Sequence, residues 1–510
     1  MACRWKRLDY LVHRWIGLVL GLLVFVWFGS GIVMMYHRYP FLTDSRQLAL
    51  LPGFHPETTV VGFAQAERAY RESVEAHGAG GGHEDAVNWA RLRVWDGRLA
   101  YELWMDHGAY PEPLGIVDAH TGRVVTPISK ETATRVARSV VGPLPAVEDV
   151  ALLPRSDHYF MGGERKPYFP VYRVRFDDPD ATAVYVSRDG GVAPAVVTRL
   201  TRFTTWLGTV PHWLYMMWLY YDRPGLWLWV SLVLPAVTVA LALTGIVLGT
   251  YQLFPRRRRG EWRISPYQGV SRWHHVSGIL FGLAVTTWAL SGMFEVLGES
   301  NTARVGQPQL GEGGQMRWGA VQVGESQAWD SLRAMAGGLT LPRAIDLMQF
   351  DGRPGYEFRL EDGRTFWVDA QTGRPRAELS PPELEPAARR VARTAAPLAG
   401  IDRITEYDTY YYARHGREMA LPAWRVRFSD PVHSTVYLET VSGRVVGFVN
   451  DASRNWRWWR DGLHSLDFSW LNNRRPLWDL VVLPILLGAT AAAVTGVWLL
   501  TRRWRRIARV

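Results

Sequence analysis

Four histidines stand at the mouths of the long apolar runs of this chain, and they form two pairs of fixed spacing. His13 opens the first run and His274 the third, with 274 − 13 giving 261; His212 and His464 precede the second and fourth, with 464 − 212 giving 252. A neutral imidazole is a good axial ligand for haem iron. Two imidazoles from different helices at one depth make the axial ligand pair of a haem iron. His13 and His274 share the depth of one membrane face, and His212 and His464 that of the other. The expected arrangement is one haem near each face, held by His13–His274 and by His212–His464. Ionisable groups at the edges of membrane segments are costly and tend to be functional. The plainer alternative is a set of interfacial histidines touching lipid headgroups.

Two further histidines rank second. His275 adjoins His274 but breaks the repeat register and points about 100° away on a helix. His37 lies at the outer end of the first run and has no counterpart, since position 298 is glycine. Gly17 and Gly21, with their counterparts Gly278 and Gly282, fall one and two helical turns beyond the ligand candidates. Absent side chains there would admit a flat porphyrin, and the same Gly-x-x-x-Gly pattern also packs membrane helices together. Trp27 and Trp288 match across the repeat at mid-membrane depth, as core aromatics or as groups between two haems.

These residues need elements to carry them. Runs of about 20 apolar residues cross a bilayer core of roughly 30 Å, and four qualify: Leu11 to Tyr36, Leu226 to Tyr251, His274 to Leu297 and Leu477 to Leu500. The first is too long for a signal-peptide core and is read as a retained span. Arg4, Lys6 and Arg7 precede the first span, Arg256 to Arg259 follow the second, and Arg502, Arg503, Arg505 and Arg506 follow the fourth. All fall on one side if the spans alternate, and positive charge marks that side as cytoplasmic. The formal charge of +10 over 510 residues is then largely a topology signal, and nucleic-acid binding is a poor reading of it. Cys3 is the one cysteine, which excludes an intrachain disulfide, c-type haem attachment and a thiolate-held iron–sulfur cluster.

The expected layout is α+β: a first span in 1–40, a polar block in 41–205, an interfacial segment with the second span in 206–255 and a cytoplasmic loop in 256–272. The third span (273–297), a second block (298–455) and an interfacial segment with the fourth span and basic tail (456–510) complete it. Each block reads as a helix followed by antiparallel strands, with a hairpin turn at Asp96-Gly97. The blocks repeat each other. Val117-Asp118-Ala119-His120-Thr121-Gly122 matches Val368-Asp369-Ala370-Gln371-Thr372-Gly373, and Arg173-Val174-Arg175-Phe176 matches Arg425-Val426-Arg427-Phe428, offsets of 251 and 252 (368 − 117, 425 − 173). An internal duplication with two pseudo-symmetric halves follows.

The His13-Arg14-Trp15-Ile16-Gly17 opening with Ser30-Gly31, the Asp-Ala-x-Thr-Gly turns and the Leu463-His464-Ser465 segment resemble the PepSY-associated transmembrane proteins. Two fused halves with four spans are most similar to the inner-membrane ferric-siderophore reductases among them. The resemblance implies PepSY-like periplasmic blocks, b-type haem (two, on the pairing above), a bacterial inner membrane with cytoplasmic termini, and reduction of a ferric siderophore in the periplasm. No Gly-x-Gly-x-x-Gly opens a helix after a strand, and the 252–272 loop is too short for a nucleotide domain. The electron donor is then a quinol or a separate reductase. Tyr407, Tyr410, Tyr411, Tyr412, Arg414, His415 and Arg417, with Tyr159, Arg165 and Lys166 in the first half, form the candidate acceptor surface. The alternative function is a non-enzymatic PepSY protein that binds or restrains a periplasmic partner or peptidase. A permease is disfavoured, since the four spans offer little acidic lining for a path; Glu295, near the outer end of the third, is the nearest candidate.

Overall fold

A computed structural model describes residues 2–37, 39–58, 61–76, 87–107, 110–142, 146–257, 264–299, 316–413, 419–472 and 474–507. The chain divides into two compact units. One comprises 1–39, 201–306 and 452–510, the other 40–200 and 307–451.

The first unit is helical. Four helices, Ala2–Tyr36, Pro224–Arg257, Gly269–Glu299 and Arg475–Ile507, contain stretches long and apolar enough to cross a membrane: Leu8–Tyr36, Pro224–Leu253, Gly269–Leu297 and Pro476–Arg502. The first packs on the second and fourth, and the third packs on the same two. Val24, Phe28, Trp288, Trp478 and Val482 form the buried centre between them. Val19, Leu280 and Leu480 stay 74, 67 and 72% exposed on the outside, an apolar surface suited to lipid. Short helices Thr209–Trp213 and Leu463–Ser465 stand just before the second and fourth spans. Each ends at a leucine in the left-handed region, Leu214 at φ 54° and Leu466 at φ 49°.

The second unit holds three antiparallel sheets. Four strands, Val147–Leu153, Val171–Phe176, Ala183–Ser187 and Ala195–Val197, make one; Leu398–Ile404, Ala423–Phe428, Thr435–Glu439 and Val445–Val449 make its counterpart. The third sheet has seven strands, in the order Pro375–Arg376, Thr365–Asp369, Arg353–Leu360, Pro342–Phe350, Trp89–Trp95, Arg98–His107 and Tyr110–Asp118. Pro342–Phe350 of the second block pairs with Trp89–Trp95 of the first, so the two blocks share this sheet.

The hairpin expected at Asp96-Gly97 is present, with both residues at positive φ (49° and 77°), and Asp351-Gly352 repeats it at 51° and 76°. That is the conformation of a two-residue turn whose twist matches the strands it joins. The strand Val147–Leu153 lies at a sheet edge with no clean alternation of burial. The tract 78–84, whose glycine-rich polar composition reads as a flexible turn, lies outside the described residues.

Candidate functional site

The four repeat-related histidines meet in two pairs within the helical unit. The ring centres of His13 and His274 are 6.3 Å apart, inclined at 43°, and those of His212 and His464 are 6.2 Å apart at 75°. Each pair joins residues far apart in sequence. The spans supply the first pair directly, and the short helices ahead of the second and fourth spans supply the other.

Each imidazole is anchored through Nδ1. His13 Nδ1 lies 3.0 Å from the Leu241 carbonyl and 3.2 Å from Thr244 Oγ1. His274 Nδ1 lies 3.0 Å from the Ala492 carbonyl and 3.3 Å from Thr495 Oγ1. His212 Nδ1 lies 3.2 Å from the Trp27 carbonyl and 3.1 Å from Ser30 Oγ, and His464 Nδ1 lies 3.1 Å from Ser291 Oγ. A carbonyl can only accept, so Nδ1 carries the hydrogen where it meets one and Nε2 keeps its lone pair. Such a contact fixes both tautomer and ring direction, as an outer partner does for a metal-bound imidazole. Thr244, Thr495, Ser30 and Ser291 had no assigned role in the sequence. The signal was there in their recurrence at a fixed spacing, as Thr244-Gly245 with Thr495-Gly496 and Ser30-Gly31 with Ser291-Gly292.

The spacing can be tested against a haem. Two imidazoles holding one iron between them at about 2 Å each, with each ring centre about 1.1 Å beyond its nitrogen, would have centres about 6.2 Å apart. Both pairs fit. Among the described residues no group of three or more His, Cys, Asp or Glu is placed to hold a bare metal ion. At the second pair, the packed helix ends around His212 push its imidazolium down to about 4, with His464 adding to the shift and the Trp27 carbonyl opposing it. Desolvation likewise holds His464 below the ordinary value. Both are therefore neutral, the form that ligates.

A cavity of about 450 Å³ surrounds His13 and His274, within the roughly 300–1,000 Å³ range of cofactor clefts. Gly17, Gly21, Gly278 and Gly282 all line it. They divide in role. A Cβ on Gly278 would meet nothing within 4 Å and one on Gly17 only Leu241 at 3.6 Å, so these two leave room in the cavity. A Cβ on Gly21 would stand 3.0 Å from Val497, and one on Gly282 2.8 Å from Ile246, so these two also admit a neighbouring helix. Gly245 and Gly496 admit the imidazoles: an added Cβ would stand 2.7 Å from His13 Cε1 and 3.0 Å from His274 Cε1.

Neither pair includes the second-rank histidines. His37 is exposed at the end of the first span. His275 is buried and turned toward the second span, with Nε2 3.2 Å from the Gly249 carbonyl. Trp288 packs in the helical core, its ring 5.5 Å from that of Phe28. Glu295 forms an ion pair with Arg460 at 2.9 Å.

The tyrosine cluster is corrected in part. Tyr411 is 1% exposed, its ring is stacked on Tyr437 at 4.7 Å, and its hydroxyl donates to the Ala420 carbonyl at 2.6 Å. It is a core residue and presents nothing to an acceptor. Tyr410 is half-buried beside it, its backbone N–H donating to Asp408 Oδ1 at 2.8 Å. In the first block Arg165 is buried, its guanidinium donating to the Met161 carbonyl at 2.7 Å, and Tyr159 is half-buried. Arg414, His415 and Arg417 lie outside the described residues.

No family model matches this chain, and no curated protein matches it.

Proposed function

We propose that this chain is a membrane oxidoreductase that binds two b-type haems and carries electrons across a bacterial inner membrane to a ferric siderophore in the periplasm. One observation carries the reading: two pairs of imidazoles, each at axial-ligand spacing and tied back through Nδ1. His13 with His274, and His212 with His464, would hold the haems. A bound haem supplies one-electron transfer between ferric and ferrous iron. The chain's own residues set its conditions. Leu241, Thr244, Ala492, Thr495, Trp27, Ser30 and Ser291 fix the rings, and the apolar helices exclude water.

The reading takes the two halves as pseudo-symmetric and PepSY-like, with cytoplasmic termini and periplasmic polar blocks. Its support is the internal duplication and the placement of the basic clusters in the sequence. The siderophore rests on the family resemblance alone. One electron would convert its Fe(III) to Fe(II), which hard oxygen ligands hold less tightly because of its lower charge.

The test is an absorption spectrum of detergent-purified chain, oxidised and dithionite-reduced, with a pyridine haemochrome assay. A b-type spectrum with two haems per chain is expected, and His13→Ala and His212→Ala should each remove one. Colourless protein from haem-replete cells would overturn the reading and leave a partner-binding membrane protein in its place.

A further inference from the structure

The two halves of the helical unit differ in charge beside the His212–His464 pair. His464 packs on the third span: its Nδ1 lies 3.1 Å from Ser291 Oγ, and a Cβ on Gly292 would stand 3.7 Å from its Cε1. Glu295 lies one turn further along the same face of that helix. Its Oε2 is 2.9 Å from Arg460 Nε, and the same nitrogen donates to Asp461 Oδ1 at 2.8 Å. Arg460 and Asp461 belong to a π-helical turn, Trp458–Gly462, that runs directly into Leu463–Ser465 and sets Asp461 three residues before His464. Turns of this kind are frequent at functional sites.

At the equivalent positions the first half carries no charge. The duplication places Met34 opposite Glu295 (295 − 261), and Gly208 and Thr209 opposite Arg460 and Asp461 (460 − 252, 461 − 252). The contact itself is kept. A Cβ on Gly208 would stand 3.2 Å from Met34 Cγ, where Arg460 meets Glu295 in the second half. An ion pair with a surplus carboxylate therefore stands on one side of the histidine pair, and an apolar contact on the other.

Two carboxylates and one guanidinium leave one net negative charge. Arg457 and Asp467, flanking the turn, pair with each other at 3.8 Å and cancel. The field reaches the ring. Burial is the larger influence on His464 and holds it low, Glu295 and Asp461 pull it upward, and Arg460 opposes them by less. The side chains of Glu295 and Arg460 are 28% exposed and that of Asp461 8%, so water screens the charge only in part.

We propose that Glu295 and Asp461, offset only in part by Arg460, lower the reduction potential at the His212–His464 pair. This rests on the two-haem reading above and names how one of its two sites is poised. Ferric haem carries one more positive charge than ferrous, so a net negative charge nearby favours the ferric form and makes the reduced form the better donor. Ser30, which meets His212, stands 17 residues beyond His13 on the first helix (30 − 13), about 25 Å at 1.5 Å per residue. The charge therefore acts on one pair.

The experiment is an optical redox titration of the full chain in lipid nanodiscs, with haem content measured on the same samples. Wild type should titrate in two one-electron components, and His212→Ala identifies the one belonging to its pair by removing it. Glu295→Gln should shift that component about three- to tenfold toward the ferrous form, about 28–59 mV upward for one electron, and leave the other in place. Asp461→Asn should shift it the same way, so the sign is read at two positions. Arg460→Gln should shift it downward. A loosened helix end would move all three variants in one direction, so the opposite sign at Arg460 separates charge from packing. Glu295→Asp keeps the charge and should stay near wild type. Two haems per chain with no shift, or with Arg460→Gln moving upward beside Glu295→Gln, would overturn this proposal and leave the two-haem reading standing. Colourless wild-type protein would overturn that reading and this proposal with it.

Discussion

Arg91 and Asp346 face each other in register at the centre of the seven-stranded sheet, and they occupy the same position in the two copies of its strand–turn–strand unit. The offset 346 − 91 is 255, as is 351 − 96 between the two Asp-Gly turns. When a strand pairs antiparallel with its own copy, one position meets its equivalent, and here that position holds opposite charges. Arg91 Nε and Nη2 donate to the two Asp346 oxygens at 2.6 and 2.9 Å, with the residues 4 and 0% exposed. Pairing two first-copy strands from different chains would instead set Arg91 against Arg91. Arg91 Nη2 also donates to Asp44 at 3.1 Å and Arg359 reaches the same Asp346 carboxylate at 2.9 Å; Asp346→Asn removes one anion from this buried network and should cost about 3–5 kcal/mol, and Arg91→Met with Asp346→Leu should recover part of it. Chemical unfolding of detergent-purified chain, followed by tryptophan fluorescence, measures both; equal losses in the single and double variants would contradict this.

The same pair sets a pH dependence. Burial works to raise the Asp346 carboxyl, but Arg359 and Arg91 outweigh it, and its pKa lies below the ordinary carboxylate value. The unfolded chain then takes up the proton first as pH falls. The stabilisation is complete above about pH 5 and is lost as pH drops through the unfolded value of about 3.9 toward the folded one. Between about pH 5 and 3, wild type should lose unfolding free energy more steeply than the Arg91→Met, Asp346→Leu double variant. Parallel curves would show that the pair does not govern acid sensitivity.

Gly245 and Gly31 should respond differently to the same added methyl. At Gly245 a Cβ would stand 2.7 Å from His13 Cε1, too close for a ring already pinned by the Leu241 carbonyl; at Gly31 it would stand 3.6 Å from His212 Cε1, an ordinary contact. If the proposed two-haem reading holds, Gly245→Ala should therefore lose the haem assigned to His13 and His274 and retain the other, giving about one haem per chain. Gly31→Ala should retain both. Haemochrome stoichiometry decides, and two haems in Gly245→Ala would mean that His13 can move aside.

What the sequence made legible is what repeats. The histidine pairs, the spans and the Asp96-Gly97 turn could be read because a fixed offset or a local turn chemistry marks each one. The joined sheet could not be read, because Arg91 finds Asp346 through long-range pairing that leaves no trace in local periodicity. Tyr411 looked like a surface aromatic because its neighbours are polar; its stacking on Tyr437, from a distant strand, makes it core. The ring-anchoring carbonyls of Leu241 and Ala492 are backbone groups, which residue type cannot announce.

On the proposed two-haem reading, Ser291 should tune one haem without ligating it. Its Oγ donates to the Trp288 carbonyl at 3.1 Å and lies 3.1 Å from His464 Nδ1, so the hydroxyl can accept the imidazole hydrogen while passing its own to the backbone. Removing such an outer partner typically weakens metal-centre affinity by about 10–100-fold. Ser291→Ala should release the haem of the His212–His464 pair about tenfold faster to an excess of apomyoglobin, with the His13–His274 haem unaffected. Ser291→Thr keeps a hydroxyl and should restore slow release. Faster loss from both sites would point to general loosening of the helices, and unchanged release would show that Ser291 does not hold the ring.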